Sequence, residues 1–364
     1  MDVTDLLRYA VERGASDLHL SAGNVPFIRV DGELLPAGFP VLDASDAEFA
    51  AEFLMSPHRA TEFARTNEAD FAYSLDGIGR FRVNVLRQRG TVALAIRRVS
   101  SEGQTLAELN LPAVIQSLAE ARRGLVLVTG PTGAGKTTTI ASMIGFINRT
   151  RRAHIVTIED PIEVLHTDDL SVIWQREIGP DTGSFAVALR QVLRQDPDVI
   201  FLGEIRDPDS ALAAIQAAQT GHLVLSTMHT IDATETVARV VELFPEQQQK
   251  QVRISLAGAL RGVVSQRLLE RIDGRGRIPA VEVLINTGRV YERILDPETT
   301  AELLDVIAES GYDGMQSFDE ALLKLAIDGQ VAEEDARAVA TNPHDFGLAL
   351  REAVARSAAV SERV

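Results

Sequence analysis

The feature that most constrains this chain is a short glycine-rich segment between two regular apolar patterns. Residues 130–137 read Gly-Pro-Thr-Gly-Ala-Gly-Lys-Thr and fit the pattern G-x-x-x-x-G-K-[ST]. A buried-strand pattern over 125–128 precedes the segment, and a helical pattern over 137–148 follows it. The sequence therefore predicts a strand–loop–helix unit whose loop binds phosphate.

Each residue type in this loop has a chemical reason. Glycines let successive backbone N–H groups turn inward around phosphate oxygens, and the following helix adds the positive end of its dipole. Lys136 is expected to reach the β- and γ-phosphates, and the Thr137 hydroxyl is expected to ligate magnesium. A glycine-rich turn without a ligand is the structural alternative, which the flanking patterns disfavour. The expected nucleotide-binding residues are Gly130, Pro131, Thr132, Gly133, Ala134, Gly135, Lys136, Thr137 and Thr138.

Strand and helix patterns alternate around this loop. The short, nearly unbroken apolar runs are typical of strands buried on both faces of a parallel sheet, and they lie at 125–128, 155–158, 199–202 and 223–225. Helical patterns separate them at 137–148, 185–195, 208–220 and 234–244. The alternation predicts a doubly wound α/β domain. From residue 247 onward the pattern is mainly helical apart from an apolar run at 280–285, and the segment after Pro343 is expected to fray.

The first part of the chain has a different texture. A helix is predicted over 2–11, ending at Gly14, and strands are predicted at 17–20, 27–30, 80–85 and 91–99. Turn residues separate the strands at Asn24, Asp31-Gly32 and Asp76-Gly77. This pattern predicts an α+β domain with a curved antiparallel sheet. The expected division is a first domain at 1–99, a polar linker at 100–105, a nucleotide-binding core at 106–290 and a helical C-terminal region at 291–364 with a disordered tail.

Composition excludes several classes of protein. The chain of 364 residues is 45% apolar and 24% charged, which is typical of globular domains. It has no cysteine, so disulfides, thiolate metal sites and cysteine nucleophiles are excluded. A net charge of −16 disfavours non-specific binding to nucleic acid. No apolar run is long enough to span a membrane and the N-terminus lacks a signal-peptide pattern, so we expect the chain to stay inside the cell.

Hydrolysis needs, besides a phosphate-binding loop, a group that orients or deprotonates the attacking water. Two acidic segments could supply such a group. Segments 155–163 and 196–204 are each expected to place carboxylates just beyond the C-terminal end of a buried strand, the edge where ligands bind in open α/β sheets. The alternatives are solvated loop carboxylates or helix caps. Gly203 stands where the second nucleotide motif usually has an aspartate, and a glutamate follows it. The candidate acids are Glu159, Asp160, Glu163, Asp198 and Glu204.

Two histidines, His222 and His229, border the fourth predicted strand. A lone histidine is more often a packing or capping residue than a catalytic one. His229, however, follows the C-terminal end of its strand, where a side chain could contact the γ-phosphate and respond to its loss.

Together these motifs resemble the ring-forming ATPases of type IV pili and type II secretion, in particular their retraction-type members. The resemblance runs from Gly14 to Pro343 and includes the segments 28–34 and 79–85. The nucleotide motifs occur in the family's order, as a Walker A loop at 130–137, an aspartate box at 157–166, a variant Walker B segment at 193–207 and a histidine box at 220–230. Residues 314–319 resemble a retraction-type C-terminal motif.

The resemblance implies a PAS-like N-terminal domain, a RecA-like ATPase domain and a set of catalytic roles. Glu163 would be the base for the attacking water, and Glu204 would act near magnesium, directly or through a water. Arg82 and Arg97 would reach a nucleotide bound by a neighbouring subunit, and His229 would complete the catalytic group. ATP and Mg²⁺ would be the ligands of a homo-oligomeric, hexameric ring.

The same resemblance implies partners and a location. The ring would lie in the cytoplasm at the inner membrane, act on a platform protein there and reach pilin indirectly, without nucleic acid. The lack of cysteine favours the retraction type over extension ATPases, many of which carry a tetracysteine zinc insertion. Residues 288–296 depart from the usual retraction sequence, which leaves open an accessory subunit with weak hydrolysis. A third hypothesis is a RecA-like motor that acts on nucleic acid, which the net charge of −16 and the resemblance of the N-terminal domain disfavour.

Overall fold

The computed structural model describes residues 2–30, 32–99 and 103–361, with side chains as far as residue 353. The chain divides into two compact units, Met1–Glu102 with Glu163–Leu165, and Gly103–Ile162 with His166–Val364. Asp31 of one predicted turn and residues 100–102 of the predicted linker lie outside the described residues. Within the described part, no helix combines the length and the apolarity needed to cross a bilayer.

The first unit is built on a six-stranded sheet in which neighbouring strands run antiparallel, in the order β3-β2-β1-β6-β5-β4. The strands are β1 (Asp17–Ser21), β2 (Phe27–Val30), β3 (Glu33–Pro36), β4 (Glu68–Leu75), β5 (Gly79–Gln88) and β6 (Thr91–Val99). Three helices accompany them, α1 (Val3–Glu12), α2 (Ala44–Leu54) and α3 (Pro57–Thr66). The predicted α+β architecture is confirmed, although β3, β4, α2 and α3 were not predicted.

Alternation along the strands gives this sheet two different faces. Leu18 and Leu20 of β1 are buried against the helices, whereas Asp17 and His19 point to the opposite face. The apolar face packs against the buried side chains of α1, which include Leu6, and against α2. The opposite face is free to carry charged residues, among them the predicted arginines.

The second unit contains a seven-stranded sheet in the order β13-β12-β7-β11-β10-β8-β9. Its strands are β7 (Gly124–Thr129), β8 (His154–Glu159), β9 (Val172–Glu177), β10 (Val199–Leu202), β11 (Leu223–Met228), β12 (Leu260–Glu270) and β13 (Arg277–Ile285). All pairs are parallel except β12 with β13. The parallel core places the C-terminal ends of β7, β8, β10 and β11 at one edge, which confirms the predicted α/β domain.

Helices cover both faces of this sheet, as buried strands require. On one face lie α4 (Ala113–Glu120) and α5 (Lys136–Thr150). On the other lie α6 (Phe185–Val192), α7 (Pro208–Gln219), α8 (Ala233–Glu242), α9 (Glu246–Ala259), α10 (Gly288–Leu295) and α11 (Leu303–Glu309). Two short 3-10 helices, Pro297–Glu302 and Gly311–Asp313, connect the later elements.

The prediction of a mainly helical chain after residue 247 is wrong for β12, an 11-residue strand. Its apolar residues include Leu260, Val263 and Val264, whose spacing also suits a helix. Pairing decides the outcome, because β12 fits between β7 and β13 and hydrogen-bonds to both. Such non-local pairing leaves no local signal in the sequence.

Three terminal helices close the second unit, α12 (Phe318–Ile327), α13 (Glu333–Val339) and α14 (Pro343–Ser361). The segment after Pro343, which was expected to fray, continues as helix to Ser361, and residues 362–364 lie outside the described residues. Phe346 and Leu350 are buried against Phe318 and Leu322 of α12, and this burial holds the first turns of α14 in place.

Candidate active site

The phosphate loop lies between the end of β7 at Thr129 and the start of α5. Gly130, Gly133 and Gly135 have φ angles of 142°, 82° and 86°, which side chains other than glycine rarely adopt. A Cβ on Gly130 would also lie 2.5 Å from the backbone oxygen of Gln266 on β12. Glycine is therefore required here both for the turn and for the close approach of β12.

Lys136 is the first residue of α5, directly after this loop, and is only 8% exposed. Its Nζ donates hydrogen bonds to the backbone oxygens of Gly130 at 2.7 Å and Pro131 at 3.0 Å. The same Nζ lies 3.4 Å from Nδ1 of His229. The loop thus fixes the ammonium group next to the histidine box, 93 positions away in the sequence. Among the other predicted loop residues, those at the rim are exposed, namely Pro131, Thr132, Gly133 and Thr138.

Close packing explains why Gly203 replaces the usual strand-end aspartate. Its N–H donates to the Ile158 oxygen at 2.8 Å, and a Cβ on it would lie 3.2 Å from that same oxygen. Its own oxygen accepts a hydrogen bond from Thr227 Oγ1 at 2.7 Å. A larger side chain at this position would therefore require the end of β8 to shift by a few tenths of an ångström. Glu204, one residue later, is therefore the first acid that follows β10.

The Glu204 carboxylate contacts both His229 and Arg206. Its Oε1 lies 3.3 Å from His229 Nε2, and its Oε2 lies 2.7 Å from Arg206 Nη2. The hydrogen bond to Glu204 raises the pKa of Arg206, although partial burial of Arg206 opposes the shift. Lys136, His229 and Glu204 therefore form a continuous polar chain from the phosphate loop to the segment that follows β10.

The donors at this edge fit a magnesium ion held mainly by a nucleotide. Magnesium prefers oxygen ligands and keeps several waters or phosphate oxygens in its shell. Thr137 offers a hydroxyl on the first turn of α5, and Glu204 offers a carboxylate that is 16% exposed. Among the described residues, no group of three or more His, Asp or Glu side chains could hold a metal. This donor set suits an ion that arrives with a phosphate.

The acids of the aspartate box differ from one another in their surroundings. Glu159 is buried and accepts hydrogen bonds from Thr157 Oγ1 at 2.6 Å and Gln175 Nε2 at 3.2 Å, which makes it a structural group. Asp160 is exposed. Glu163 is also exposed, and its chain segment is grouped with the first unit.

Asp198 has a structural position at the opposite end of the sheet. It precedes β10, and its Oδ2 accepts a hydrogen bond from the backbone N–H of His154 at 2.8 Å. The contact ties the starts of β8 and β10 together. The hypothesis that Asp198 acts at the nucleotide edge is therefore wrong, because parallel strands place their starts away from that edge.

The two predicted arginines lie together on the polar face of the first unit. Arg82 on β5 pairs directly with Arg97 on β6. Arg82 donates two hydrogen bonds to Asp70, from Nη2 to Oδ2 at 2.6 Å and from Nε to Oδ1 at 3.2 Å. Arg97 Nε lies 2.8 Å from Asp17 Oδ1. Burial by itself would raise the pKa of Asp17. Hydrogen bonds from Arg97 and Ser16 outweigh this effect and hold the pKa of Asp17 below its usual value.

A cavity beside the phosphate loop was not predicted from the sequence. It has a volume of about 310 Å³ and lies between the loop, the segment 104–111 and the ends of β12 and β13. Leu109, Leu268 and Ile278 supply apolar walls, and Arg271 and Arg277 supply charge. Its lining residues come from the phosphate-loop segment, from segment 104–111 and from the ends of β12 and β13, which lie far from the loop in the sequence. Arg206 was missed too, although it lies inside the Walker B segment, where an arginine two residues after Glu204 was a usable signal.

A glycine-rich loop at the carboxyl edge of a parallel sheet, with its lysine beside a histidine and a glutamate, defines a RecA-like P-loop nucleotide-binding domain. Comparison with known proteins gives the family. The model of the family described as "Type II/IV secretion system protein" matches residues 2–359, and the chain belongs to this family.

The relatives extend over nearly the whole chain. The type IV pilus retraction ATPase PilT of Pseudomonas aeruginosa is 40% identical over 95% of this chain and 100% of its own length. The type IV pilus ATPase PilU of the same bacterium is also 40% identical, over 96% of this chain and 92% of its own. A crystal structure of the pilus retraction motor PilT with bound ADP shares 43% identity, covers 95% and 98% of the two chains, and superposes with a TM-score of 0.86.

Proposed function

We propose that this protein is a ring-forming, magnesium-dependent ATPase that powers type IV pilus retraction. The observation that carries the proposal is the contact of Lys136 with His229 and of His229 with Glu204 at the mouth of the phosphate loop. The similarity to PilT over 95% of the chain supports the assignment to retraction.

The chemistry required is stabilisation of negative charge on a transferring phosphoryl group and orientation of a water. Lys136 exchanges its backbone oxygen partners for β- and γ-phosphate oxygens when a nucleotide enters the loop. Glu163 accepts a proton from the attacking water. His229 contacts the γ-phosphate and, through Glu204, passes on the loss of that group. Thr137, and Glu204 directly or through a water, would hold a magnesium ion, which would supply positive charge to neutralise the phosphates.

The cavity next to the loop takes the nucleoside. Apolar walls from Leu109, Leu268 and Ile278 suit the faces of a purine ring, and the volume of about 310 Å³ is at the small end of ligand pockets. The loop residues Ala134, Gly135 and Thr138 line the same cavity, so a base there remains connected to phosphates in the loop.

Hydrolysis takes place between neighbouring subunits of the ring. Arg82 and Arg97 leave their acids and reach the phosphates held by the next subunit's loop. An arginine supplied in this way is worth about 10³–10⁵ in rate, so turnover depends on assembly. Loss of the γ-phosphate releases this contact and lets the two units of a subunit rotate relative to each other. The ring works in the cytoplasm at the inner membrane, where it turns a platform protein and so acts indirectly on pilin; no nucleic acid takes part.

Motility of the source bacterium tests this function. Deletion of the gene should leave surface pili in place but abolish twitching, and expression of the wild-type chain should restore it. Lys136→Ala should not restore twitching, whereas the control Lys250→Ala, at an exposed position on α9, should. Normal twitching in the deletion strain would contradict the proposal.

An accessory role is the second candidate, because residues 288–296 differ from the usual retraction sequence. In the structure, residues 288–295 of this segment form α10, whose Val290 and Ile294 are fully buried. The 40% identity to PilU is as high as that to PilT. Steady-state ATPase activity, compared with the ring content determined by light scattering, distinguishes the retraction motor from the accessory subunit. Robust turnover in the ring excludes a weakly hydrolysing subunit.

A further inference from the structure

Glu282 is a buried carboxyl that the mechanism above does not use. It lies on β13 and is 2% exposed. Its Oε1 accepts a hydrogen bond from the backbone N–H of Ala233 at 2.8 Å. Ala233 is the first residue of α8, the helix that follows the loop carrying His229. A carboxylate at this point complements the positive end of the helix dipole and satisfies an N–H that has no partner within the helix.

The register of the sheet connects Glu282 to the phosphate loop as well. Ser265 on β12 pairs with Glu282 on one side and with Thr129 on the other. Thr129 Oγ1 donates to Ser265 Oγ at 3.0 Å, and Thr129 is the last residue before the loop. Met228 pairs with Thr129 in turn and directly precedes His229. One row of residues therefore crosses the sheet beneath both the loop and the histidine.

The strand on which Glu282 lies is clamped by the C-terminal motif. Gln316 exchanges backbone hydrogen bonds with Val283, with distances of 2.9 and 3.3 Å. Its side chain Nε2 also donates to the Val281 oxygen at 2.7 Å. Both neighbours of Glu282 are thus fixed by the 314–319 segment, which the proposed function leaves without a role.

We propose that Glu282 is a positioning residue of the nucleotide site, which holds the start of α8 against β13 and so keeps His229 in place beside Lys136 and Glu204. The C-terminal motif acts on the site through the same contact. This inference rests on the role of His229 in the proposed function. The paired residues Thr129, Ser265 and Glu282 connect Glu282 to the phosphate loop, and all three lie within the second unit.

The charges around Glu282 make the contact sensitive to pH. Burial raises the pKa of Glu282 to about 7, against the lowering effect of the Ala233 N–H. The charged groups that face it are Asp232 at the start of α8, Arg267 on β12 and Asp319 on α12. The two aspartates raise its pKa and the arginine lowers it. A protonated carboxyl is a weaker acceptor for the helix N-terminus, so the anchor loosens as the pH falls from 8 to 6.

The test compares ATP turnover by the assembled protein across pH 6 to 8. Glu282→Ala should lower kcat about tenfold while KM for MgATP changes less than about threefold, because the substrate-contacting residues stay in place. Glu282→Gln keeps an acceptor for Ala233 and should restore part of kcat, but its activity should no longer fall between pH 8 and 6. Glu270→Gln, an exposed glutamate on β12, is the matched control and should behave as the wild type. A Glu282→Gln variant with the wild-type pH profile would overturn the proposal.

A double-variant comparison separates this inference from the function on which it rests. His229→Ala should lower kcat, and Glu282→Ala should then add little in the His229→Ala background, since it acts through the histidine. Fully additive losses would overturn the positioning role while leaving the role of His229 intact. A His229→Ala variant with wild-type turnover would instead overturn the role of His229 and, with it, the inference.

Discussion

Arg82 and Arg97 lie directly opposite each other on β5 and β6, and each is held by a different acid, Asp70 and Asp17. Two cations side by side repel, and the acids offset that repulsion. The Arg97 side chain is 72% exposed and that of Arg82 is 47% exposed. The Arg82–Asp70 pair is exposed on both sides, and such pairs are worth only about 0–1 kcal/mol, so a phosphate group can displace Asp70 at low cost. The Asp17 side chain is only 12% exposed, so release of Arg97 costs more, because it leaves a largely buried carboxylate without this partner.

Removal of either arginine should slow hydrolysis without unfolding the protein. Arg82→Ala and Arg97→Ala should each lower kcat by about 10³-fold, because the charge that offsets the transferring phosphate is lost. Nucleotide affinity should change much less. Arg65→Ala, an exposed arginine on α3 of the same unit, should keep wild-type turnover. Wild-type kcat in both Arg82 and Arg97 variants would remove the arginines from the mechanism.

Glu163→Gln should separate binding from hydrolysis. The amide cannot take a proton from water, so kcat should fall at least about a hundredfold while ADP and ATP still bind. Equilibrium binding of a fluorescent nucleotide and single-turnover hydrolysis measure the two effects. Glu242→Gln, at an exposed position of α8, is the control. Turnover within a few-fold of wild type would show that another group activates the water.

The pH dependence of stability should contain two opposing contributions. Burial lowers the pKa of His166 from 6.5 to about 4, so the unfolded chain gains a proton that the folded chain refuses, and stability falls as the pH drops from 6.5 to 4. Burial raises the pKa of Glu282 from 4.5 to about 7, so the folded chain keeps a proton that the unfolded chain loses, and stability falls as the pH rises from 4.5 to 7. Each contribution amounts to at most about 3 kcal/mol.

Urea unfolding at pH 4.5 and 6.5 measures these contributions. Relative to the wild type, Glu282→Gln should gain more stability between pH 4.5 and 6.5, because only the histidine contribution remains. His166→Gln should lose stability over the same interval. Variant curves that run parallel to the wild-type curve would contradict the burial of these two charges.

Gly203→Asp should destabilise the protein although it restores the acid usual at that position. The new Cβ would lie 3.2 Å from the Ile158 oxygen and 3.5 Å from a ring carbon of Phe185, a crowding expected to cost about 1–3 kcal/mol. Gly183→Ala is the control, since a Cβ there meets nothing within 4 Å. Equal melting temperatures for the two variants would mean that the strand ends can separate to make room.

The sequence allowed prediction of those features that local pattern determines. The phosphate loop, the parallel strands before and after it and the arginine-bearing strands all have signals within about ten residues. The strand β12 has none, because its conformation depends on pairing with β7 and β13. The role of Glu282 could not be predicted for the same reason, because its hydrogen bond with Ala233 joins positions 49 residues apart.

For the site residues as well, the sequence did not show which side chains lie close together in space. Motifs indicated Lys136, Glu204 and His229 separately, but only the folded sheet brings them into one polar chain. Asp198 was a weaker candidate than Glu204 in the same segment, and in the structure it lies at the start of β10 while Glu204 follows its end. Which end of a strand an acid occupies decides whether it can meet a ligand.

Mixing two inactive variants tests most directly whether hydrolysis takes place between subunits. Lys136→Ala removes the phosphate-binding lysine, and the double variant Arg82→Ala/Arg97→Ala removes the arginines, so each ring alone should be inactive. In an equal mixture assembled together, about a quarter of the interfaces would combine an intact loop from one chain with intact arginines from the other. We predict that the mixture regains a substantial share of wild-type ATPase activity. A mixture as inactive as its components, in rings shown to contain both chains, would contradict the account.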